Sequence, residues 1–429
     1  MTADESNAAS PTTVELTERY LLGNYGRFPV SFERGEGGYL WDESGKRYLD
    51  FATGIAVCSL GHCPEAMRRA LAEQGAKLIH CSNLYHIREQ AKLARFVVER
   101  MVRRPGKVFF CNSGAEANDA LIKLARKRAF DESGRESGRN EIVTCRQSFH
   151  GRTLGGIAAT GQEKVKIGFD PLLPGFFHVP FNDCESLKTA ASEKTAAILF
   201  EPVQGEGGIN LATPAFMAAA AELREEFGCL LMFDEVQCGS GRTGDWCGWR
   251  TIQRDSGIEV EPDAVSWAKG FGGGFPIGAI WASDECAGAL GPGTHGSTFG
   301  GAPLGSAVAL AVLEEIERKG VLENVRRQEH RIREAVSRWN LSAVESLRGS
   351  GLMLGFLLDA DVVAGAPGFA DAKRTPSLFV VSELMKAGLL AVPAGELVVR
   401  WLPRLDVIDA EVDEALSIFH EVLASLSKR

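Results

Sequence analysis

Between Lys107 and Trp281 one pattern recurs: a short unbroken apolar run, then a longer stretch with helical spacing. The runs are KVFFC, EIVTC, TAAILFEPV, CLLMFDEV, DAVSWA and IGAIWA. Strands that are apolar at successive positions, rather than at alternate ones, are buried on both faces. Alternating with helices, they predict a large α/β lobe with a mostly parallel sheet. Ahead of it, PVSFERGEGGYLWDESGKRYLDF breaks its apolar stretches at GEGG and DESGK and predicts a small antiparallel meander. Beyond Gly300 come two long amphipathic stretches, LGSAVALAVLEEIERKG and VIDAEVDEALSIFHEVLASLSK. The strand candidates LMLGFLL and LVVRWL lie between them, so this end predicts a smaller α+β lobe. The division expected is a polar, disordered tail over 1–13, an N-terminal part of the small domain over 14–60, the large domain over 61–310 and the C-terminal α+β part over 311–429. No internal repeat is seen, and DESGRESGRN (131–140) is expected to be a solvated loop.

A chain of 429 residues exceeds what one core organises, which agrees with two lobes. Lys and Arg number 47 against 56 Asp and Glu, a net charge of −9, so the cationic excess that holds a nucleic-acid backbone is missing. No run approaches the roughly 20 apolar residues that span a bilayer. The start, MTADESNAASPTTVEL, lacks a basic region followed by an apolar one. An unexported, cytoplasmic protein without a membrane partner is the expectation, and the ten cysteines then read as reduced thiols. Cys58, His62, Cys63, His80, Cys81 and His86 are metal-ligand types, but without the paired C-x2-C spacing they are better assigned as buried thiols and satisfied histidines.

Three places carry chemistry. Asp234 ends the run CLLMFD, at the carboxyl end of a predicted parallel strand, where such sheets place their ligands; a helix cap or an ion pair is the structural alternative. Lys269 follows the run DAVSWA and precedes the glycines of KGFGGG, which leave room for a ligand against the backbone. Desolvated there, its amine becomes a nucleophile suited to Schiff-base chemistry with an aldehyde cofactor. Ser113, Gly114 and Ala115 open a helix after KVFFC. Free N–H groups and the helix dipole make that a phosphate seat, while Ser113 and Glu116 also satisfy a capping box. GSGRTG (239–244) imitates a dinucleotide fingerprint, but DWCGWRTIQRDSG follows it instead of an apolar helix. Amine, acid and phosphate seat together match a pyridoxal 5'-phosphate site. Arg152 in SFHGRT and Arg400 in ELVVRWLP, each beside a short or strand-like run, add bidentate recognition of carboxylate substrates.

The ordered series NYGRFPV, RGEGGYLWDESGKRYLDF, SGAEAN, SFHGRT, EPVQGEGG, FDEVQCGSGRTG, AKGFGGGFPIGA, HGSTFGG, GLMLG and PAGELVVR resembles the class III pyridoxal phosphate aminotransferases, and among them the acetylornithine aminotransferases most closely. The likeness extends from about Tyr25 to Leu405. It implies an aspartate aminotransferase-like fold and a homodimer with shared active sites. It implies Lys269 as the amine that holds the cofactor aldehyde and relays a proton, and Asp234 as the anion that keeps the pyridine nitrogen protonated. Gln237 would lie at the ring hydroxyl, Phe149 on the ring face, and Ser113, Gly114 and Ala115 on the phosphate, with Thr298 of the partner subunit completing that seat. On the substrate side the resemblance implies Tyr25 and Arg152 at the carboxylate remote from the reacting amine, together with Ser297. Arg400 would take the α-carboxylate of 2-oxoglutarate and Glu206 would mask Arg400 when a terminal amine is bound. The implied reaction moves the δ-amino group of N2-acetylornithine to 2-oxoglutarate, giving N-acetylglutamate 5-semialdehyde and glutamate for arginine synthesis. Succinyldiaminopimelate, succinylornithine, ornithine and 4-aminobutyrate are alternative donors. A non-catalytic cofactor-binding protein is the alternative of another class, opposed by the presence of Lys269, Asp234 and both arginines. His150 and Ile55 resemble the acetylornithine subgroup; Ala302, Arg404 and the shortened LGHCPEA depart from the family pattern.

Overall fold

The computed structural model describes residues 11–426. Residues 1–10 of the expected disordered tail lie outside the described residues, and the remainder is structured from Thr12, which caps the helix Thr13–Tyr20 through a reciprocal box with Glu15. The meander follows as β1 (Phe32–Glu36), β2 (Tyr39–Asp42) and β3 (Arg47–Asp50), paired antiparallel. Asp42 turns the chain at DESGK by accepting from the backbone N–H groups of Ser44 and Lys46, both at 2.9 Å.

The large lobe contains β4 (Gly106–Cys111), β5 (Glu141–Cys145), β6 (Phe176–Val179), β7 (Thr195–Phe200), a short hairpin of β8 (Val203–Gln204) and β9 (Asn210–Leu211), then β10 (Leu230–Asp234), β11 (Ala264–Trp267) and β12 (Gly278–Ser283). Its seven-stranded sheet runs β4-β12-β11-β10-β7-β5-β6. Strands β6, β5, β7, β10 and β11 are mutually parallel, whereas β12 is antiparallel to both neighbours. The exception has a local cause: between β11 and β12 the chain makes only the tight glycine turn after Lys269, with no crossover helix to return it to the starting edge. The runs β7, β10, β11 and β12 are buried at every position, which is why they lack polar alternation. The aromatic rings of Phe200, Phe233 and Trp249 stack the core beneath them, at 5.0 and 5.8 Å between centroids.

The remaining strands are β13 (Val344–Ser350), β14 (Met353–Leu358), β15 (Leu389–Leu390), β16 (Val392–Ala394) and β17 (Val398–Trp401). Four form a sheet in the order β13-β14-β17-β16, while β15 pairs parallel with β3, so the two ends of the chain share a sheet. Phe419 of the last helix, Asp409–Leu426, packs on Trp401 and Phe356 and closes this lobe's core. Position 310, the expected domain limit, falls inside the helix Pro303–Arg318. The expected loop 131–140 is shorter than foreseen, because the helix Gly114–Ser133 continues into it until Gly134 turns the chain at φ 71°.

GSGRTG forms a turn that joins the lobes. Arg242 is fully buried and donates to the carbonyls of Leu352 and Pro403, at 3.0 and 2.5 Å. His62 pairs with Asp50 at 2.8 Å. Among the described residues, no helix is long and apolar enough to cross a membrane.

Candidate active site

The carboxyl ends of β4, β5, β7, β10 and β11 open on one cavity of about 400 Å³, lined by Gly114, Phe149, Asp234, Gln237, Lys269 and Glu206 among others. This is the end of a parallel sheet where loops diverge and leave a crevice.

Lys269 sits directly after β11, at φ 47°. Its turn is held from below by Ser59, whose Oγ donates to the Gly270 carbonyl at 2.8 Å. The turn requires glycine at 272, where a Cβ would fall 2.1 Å from the Phe275 carbonyl oxygen. Burial holds the Lys269 amine below the usual lysine range, against the pull of the Glu206 carboxylate and with the Arg400 charge adding to the lowering. The arrangement yields an amine that loses its proton readily.

Asp234 closes the opposite side and is 2% exposed. Its Oδ2 accepts from Asn118 Nδ2 at 2.7 Å and lies 2.8 Å from His150 Nδ1; its Oδ1 accepts from the backbone N–H of Val236 at 3.0 Å. Burial disfavours a charged His150, but the hydrogen bond to Asp234, its charge and that of Glu201 outweigh burial and raise the imidazole above its ordinary value. Nδ1 is therefore the donor to Asp234.

The helix Gly114–Ser133 starts at the cavity wall. Ser113 accepts from Glu116 N at 3.2 Å, leaving earlier N–H groups of the first turn for a ligand. A Cβ at Gly114 would lie 2.8 Å from Val236 Cγ1, so the helix start is pressed against the loop after Asp234. Opposite, Arg400 is 1% exposed; its Nη1 donates to Glu206 at 2.8 Å and to Gln237 Oε1 at 2.6 Å. Burial would raise the Glu206 carboxyl, but Arg400 and Lys269 prevail and hold it below its usual range. Arg152 lies at the rim, exposed, 5.5 Å from the Phe149 ring centroid.

Tyr25, Ser297 and Thr298 do not line this cavity. Tyr25 is 69% exposed beside Arg27, and Ser297 Oγ accepts from Asn112 Nδ2 at 3.1 Å while Thr298 faces solvent. Among the lining residues without an assignment from sequence are two buried polar ones, Asn118 and Glu201. Asn118 offered a signal, a polar position on a helix face otherwise made of Ala117, Ala120 and Leu121. Glu201 offered a weaker one, an acid straight after the apolar run TAAILF. Its Oε1 accepts from Phe149 N at 2.8 Å and its Oε2 from Gly205 N at 3.0 Å. Burial pushes Glu201 up to about 7, against the opposing charge of His150.

A heteroaromatic cofactor with a ring nitrogen needs an anion at that nitrogen, its aldehyde needs an uncharged amine, and its phosphate needs unpaired N–H groups. Pyridoxal 5'-phosphate asks for all three around one cavity, and the residues present fit it. The site is thus that of a pyridoxal phosphate-dependent transferase. The chain belongs to the class-III aminotransferases, whose family model matches residues 22–423. It is 44% identical over 415 residues to the acetylornithine aminotransferase of Caldanaerobacter subterraneus, covering 96% of this chain and 99% of that one. It is 43% identical to the acetylornithine aminotransferase of a Nostoc species, covering 98% and 96%. Among solved structures it resembles the ornithine aminotransferase of Toxoplasma gondii, which holds pyridoxal phosphate at partial occupancy, with a TM-score of 0.87 at 29% identity over 97% and 95% of the chains. It also resembles the N-acetylornithine aminotransferase of Stenotrophomonas maltophilia, with a TM-score of 0.79 at 35% identity over 96% and 98%.

Proposed function

We propose that this enzyme transfers the δ-amino group of N2-acetylornithine to 2-oxoglutarate, giving N-acetylglutamate 5-semialdehyde and glutamate, as a cytoplasmic step of arginine synthesis. The observation that carries the reading is the Glu206–Arg400 pair, 2.8 Å apart, in which Glu206 lines the cavity that Lys269 enters and the buried Arg400 stands behind it. A terminal amine donor has no carboxylate beside its reacting carbon, and for it the masked arginine presents no unmatched charge. A keto diacid does have one, and for it Arg400 becomes free once Glu206 turns away. One cavity thereby accepts both partners of the exchange. The two relatives named acetylornithine aminotransferase support the choice of donor.

Bound pyridoxal phosphate supplies an aldehyde that condenses with amines and a ring that accepts the electron pair left on the reacting carbon. Lys269 Nζ, whose proton burial loosens, would hold the aldehyde at rest and would take and return the proton of the reacting carbon. Asp234, fixed in place by His150 and Asn118, would hold a proton at the ring nitrogen. Phe149 would cover the ring, Gln237 would meet its hydroxyl, and the N–H groups at Ser113, Gly114 and Ala115 would take the phosphate. Arg152, exposed at the rim, takes the donor's own carboxylate, while Tyr25, outside this cavity, has no contact with it in this chain. The reading includes a homodimer in which the loop bearing Ser297 and Thr298 serves the second copy's cavity. Its support is the exposure of Thr298 and of Phe299, Leu84 and Tyr85, the last three at 64, 86 and 69%.

The test follows the visible absorption of the cofactor-loaded protein while single donors are added. N-acetylornithine at low concentration should bleach it and 2-oxoglutarate should restore it. Bleaching by ornithine, 4-aminobutyrate or succinyldiaminopimelate in preference would overturn the choice of donor.

A further inference from the structure

Beyond the effect of its charge on His150, Glu201 has no part in the chemistry above, yet it is an acid 5% exposed at the cavity wall. Its hydrogen-bond partners are two backbone N–H groups from different loops, those of Phe149 at 2.8 Å and Gly205 at 3.0 Å. Burying an acid is costly, so a site that needed only volume would be filled by an apolar side chain. An ionised carboxylate accepts two such donors at once, one on each oxygen. The second donor, Gly205, immediately precedes Glu206.

The far side of Gly205 is closed as well. A Cβ there would fall 2.3 Å from Gln237 Oε1, and a Cβ at Gly207 would fall 2.6 Å from the Gln147 carbonyl oxygen. Little room is thus left beside the backbone on either side of Glu206, while the Glu206 side chain lines the cavity and accepts from Arg400. We infer that Glu201 is a positioning residue for the Glu206 gate, holding the backbone still so that Arg400 is covered and uncovered by rotation of the Glu206 side chain alone. The inference rests on the gate reading proposed above. It also explains why the same carboxylate grips Phe149: a loop that moved with each exchange of partners would carry the ring platform with it.

The experiment compares the cofactor-loaded wild type with Glu201→Gln, Glu206→Gln and the double variant. The measured quantity is the ratio of kcat/KM for N-acetylornithine to that for glutamate as donor. In Glu201→Gln one oxygen becomes an N–H donor facing another donor, so the ratio should fall about tenfold, the scale of one charged hydrogen bond. Glu206→Gln should lower it similarly, and the double variant should fall no further. Amide exchange of the peptide around Gly205 should speed up in Glu201→Gln and stay slow in Glu206→Gln. Equal losses with both donors and an unchanged ratio in Glu201→Gln, multiplying effects in the double variant, or unchanged exchange would overturn the inference and leave the gate standing. An unchanged ratio in Glu206→Gln would overturn the gate and the inference with it. Should Glu201→Gln fail to hold its cofactor, Glu201→Asp, which keeps the charge but reaches less far, takes its place under the same criteria.

Discussion

Asp234 is met by three donors and no acceptor, which makes Asp234→Asn a sharp test of the site. Asn118 Nδ2 and His150 Nδ1 address one oxygen and Val236 N the other. Asn118 is not free to turn its amide over, because its Oδ1 already accepts from Ser266 Oγ at 2.7 Å. An asparagine at 234 therefore sets its NH2 against at least one buried donor whichever way it is placed, and the least costly placement strands Val236 N. Leaving that group unpaired costs about 1–3 kcal/mol, and replacing a charged acceptor at the cofactor nitrogen by a neutral one removes about 1.5–3 kcal/mol more. The sum, about 2.5–6 kcal/mol, predicts a loss of kcat/KM of roughly two to four orders of magnitude. Steady-state assays with N-acetylornithine and 2-oxoglutarate measure it, and equilibrium dialysis of pyridoxal phosphate separates lost binding from lost chemistry. A variant within about threefold of wild-type kcat/KM, well under 1 kcal/mol, would refute the argument.

In Glu206→Gln, Arg400 loses its charged mask, and glutamate should gain on N-acetylornithine as donor by about tenfold, read from single-donor half-reactions. His62 is expected to tie stability to pH. Burial opposes its charge, but Asp50 and Cys58 prevail and raise it from 6.5 to about 10, so its contribution is complete below 6.5 and fades as pH rises toward 10. Urea unfolding of His62→Gln should therefore show its largest deficit below pH 6.5 and little at pH 10; a deficit that grew with pH would contradict the sign. Arg404 donates to Glu411 from Nε and Nη2, both at 3.1 Å, and Glu411 is 4% exposed. Arg404→Met, which keeps the stem, should cost about 3–5 kcal/mol by stranding that acid, measured by denaturant midpoint.

The Arg404 result bears on how the chain is understood. As a sequence departure it had no rationale; in the fold it neutralises an acid of the last helix while its stem packs at Gly61, in the shortened LGHCPEA segment. The acid lies only seven residues further on, but the packing of the stem at Gly61 joins opposite ends of the chain and nothing near either position announces it. The glycine turn at Lys269 behaves differently. Its space requirement is local, since the Cβ excluded at Gly272 meets Phe275 only three residues on.

The same division holds for the molecule as a whole. Unbroken apolar runs determined the buried strands, and with them the placing of Asp234 and Lys269 at strand ends, because side-chain burial follows the local period of the backbone. The cap at Ser113 and the helix it opens were equally local. Only the tertiary structure decided that β12 runs antiparallel and that β15 joins β3, and it gave a distance of 2.8 Å to the Glu206–Arg400 pairing that the resemblance implied across 194 residues. It alone showed Glu201 to be a clamp on two loops and His150 a partner of Asp234. These depend on which loops meet at the sheet's carboxyl end, and a buried polar group takes its partner from whatever the fold brings within 3 Å or so, regardless of separation along the chain.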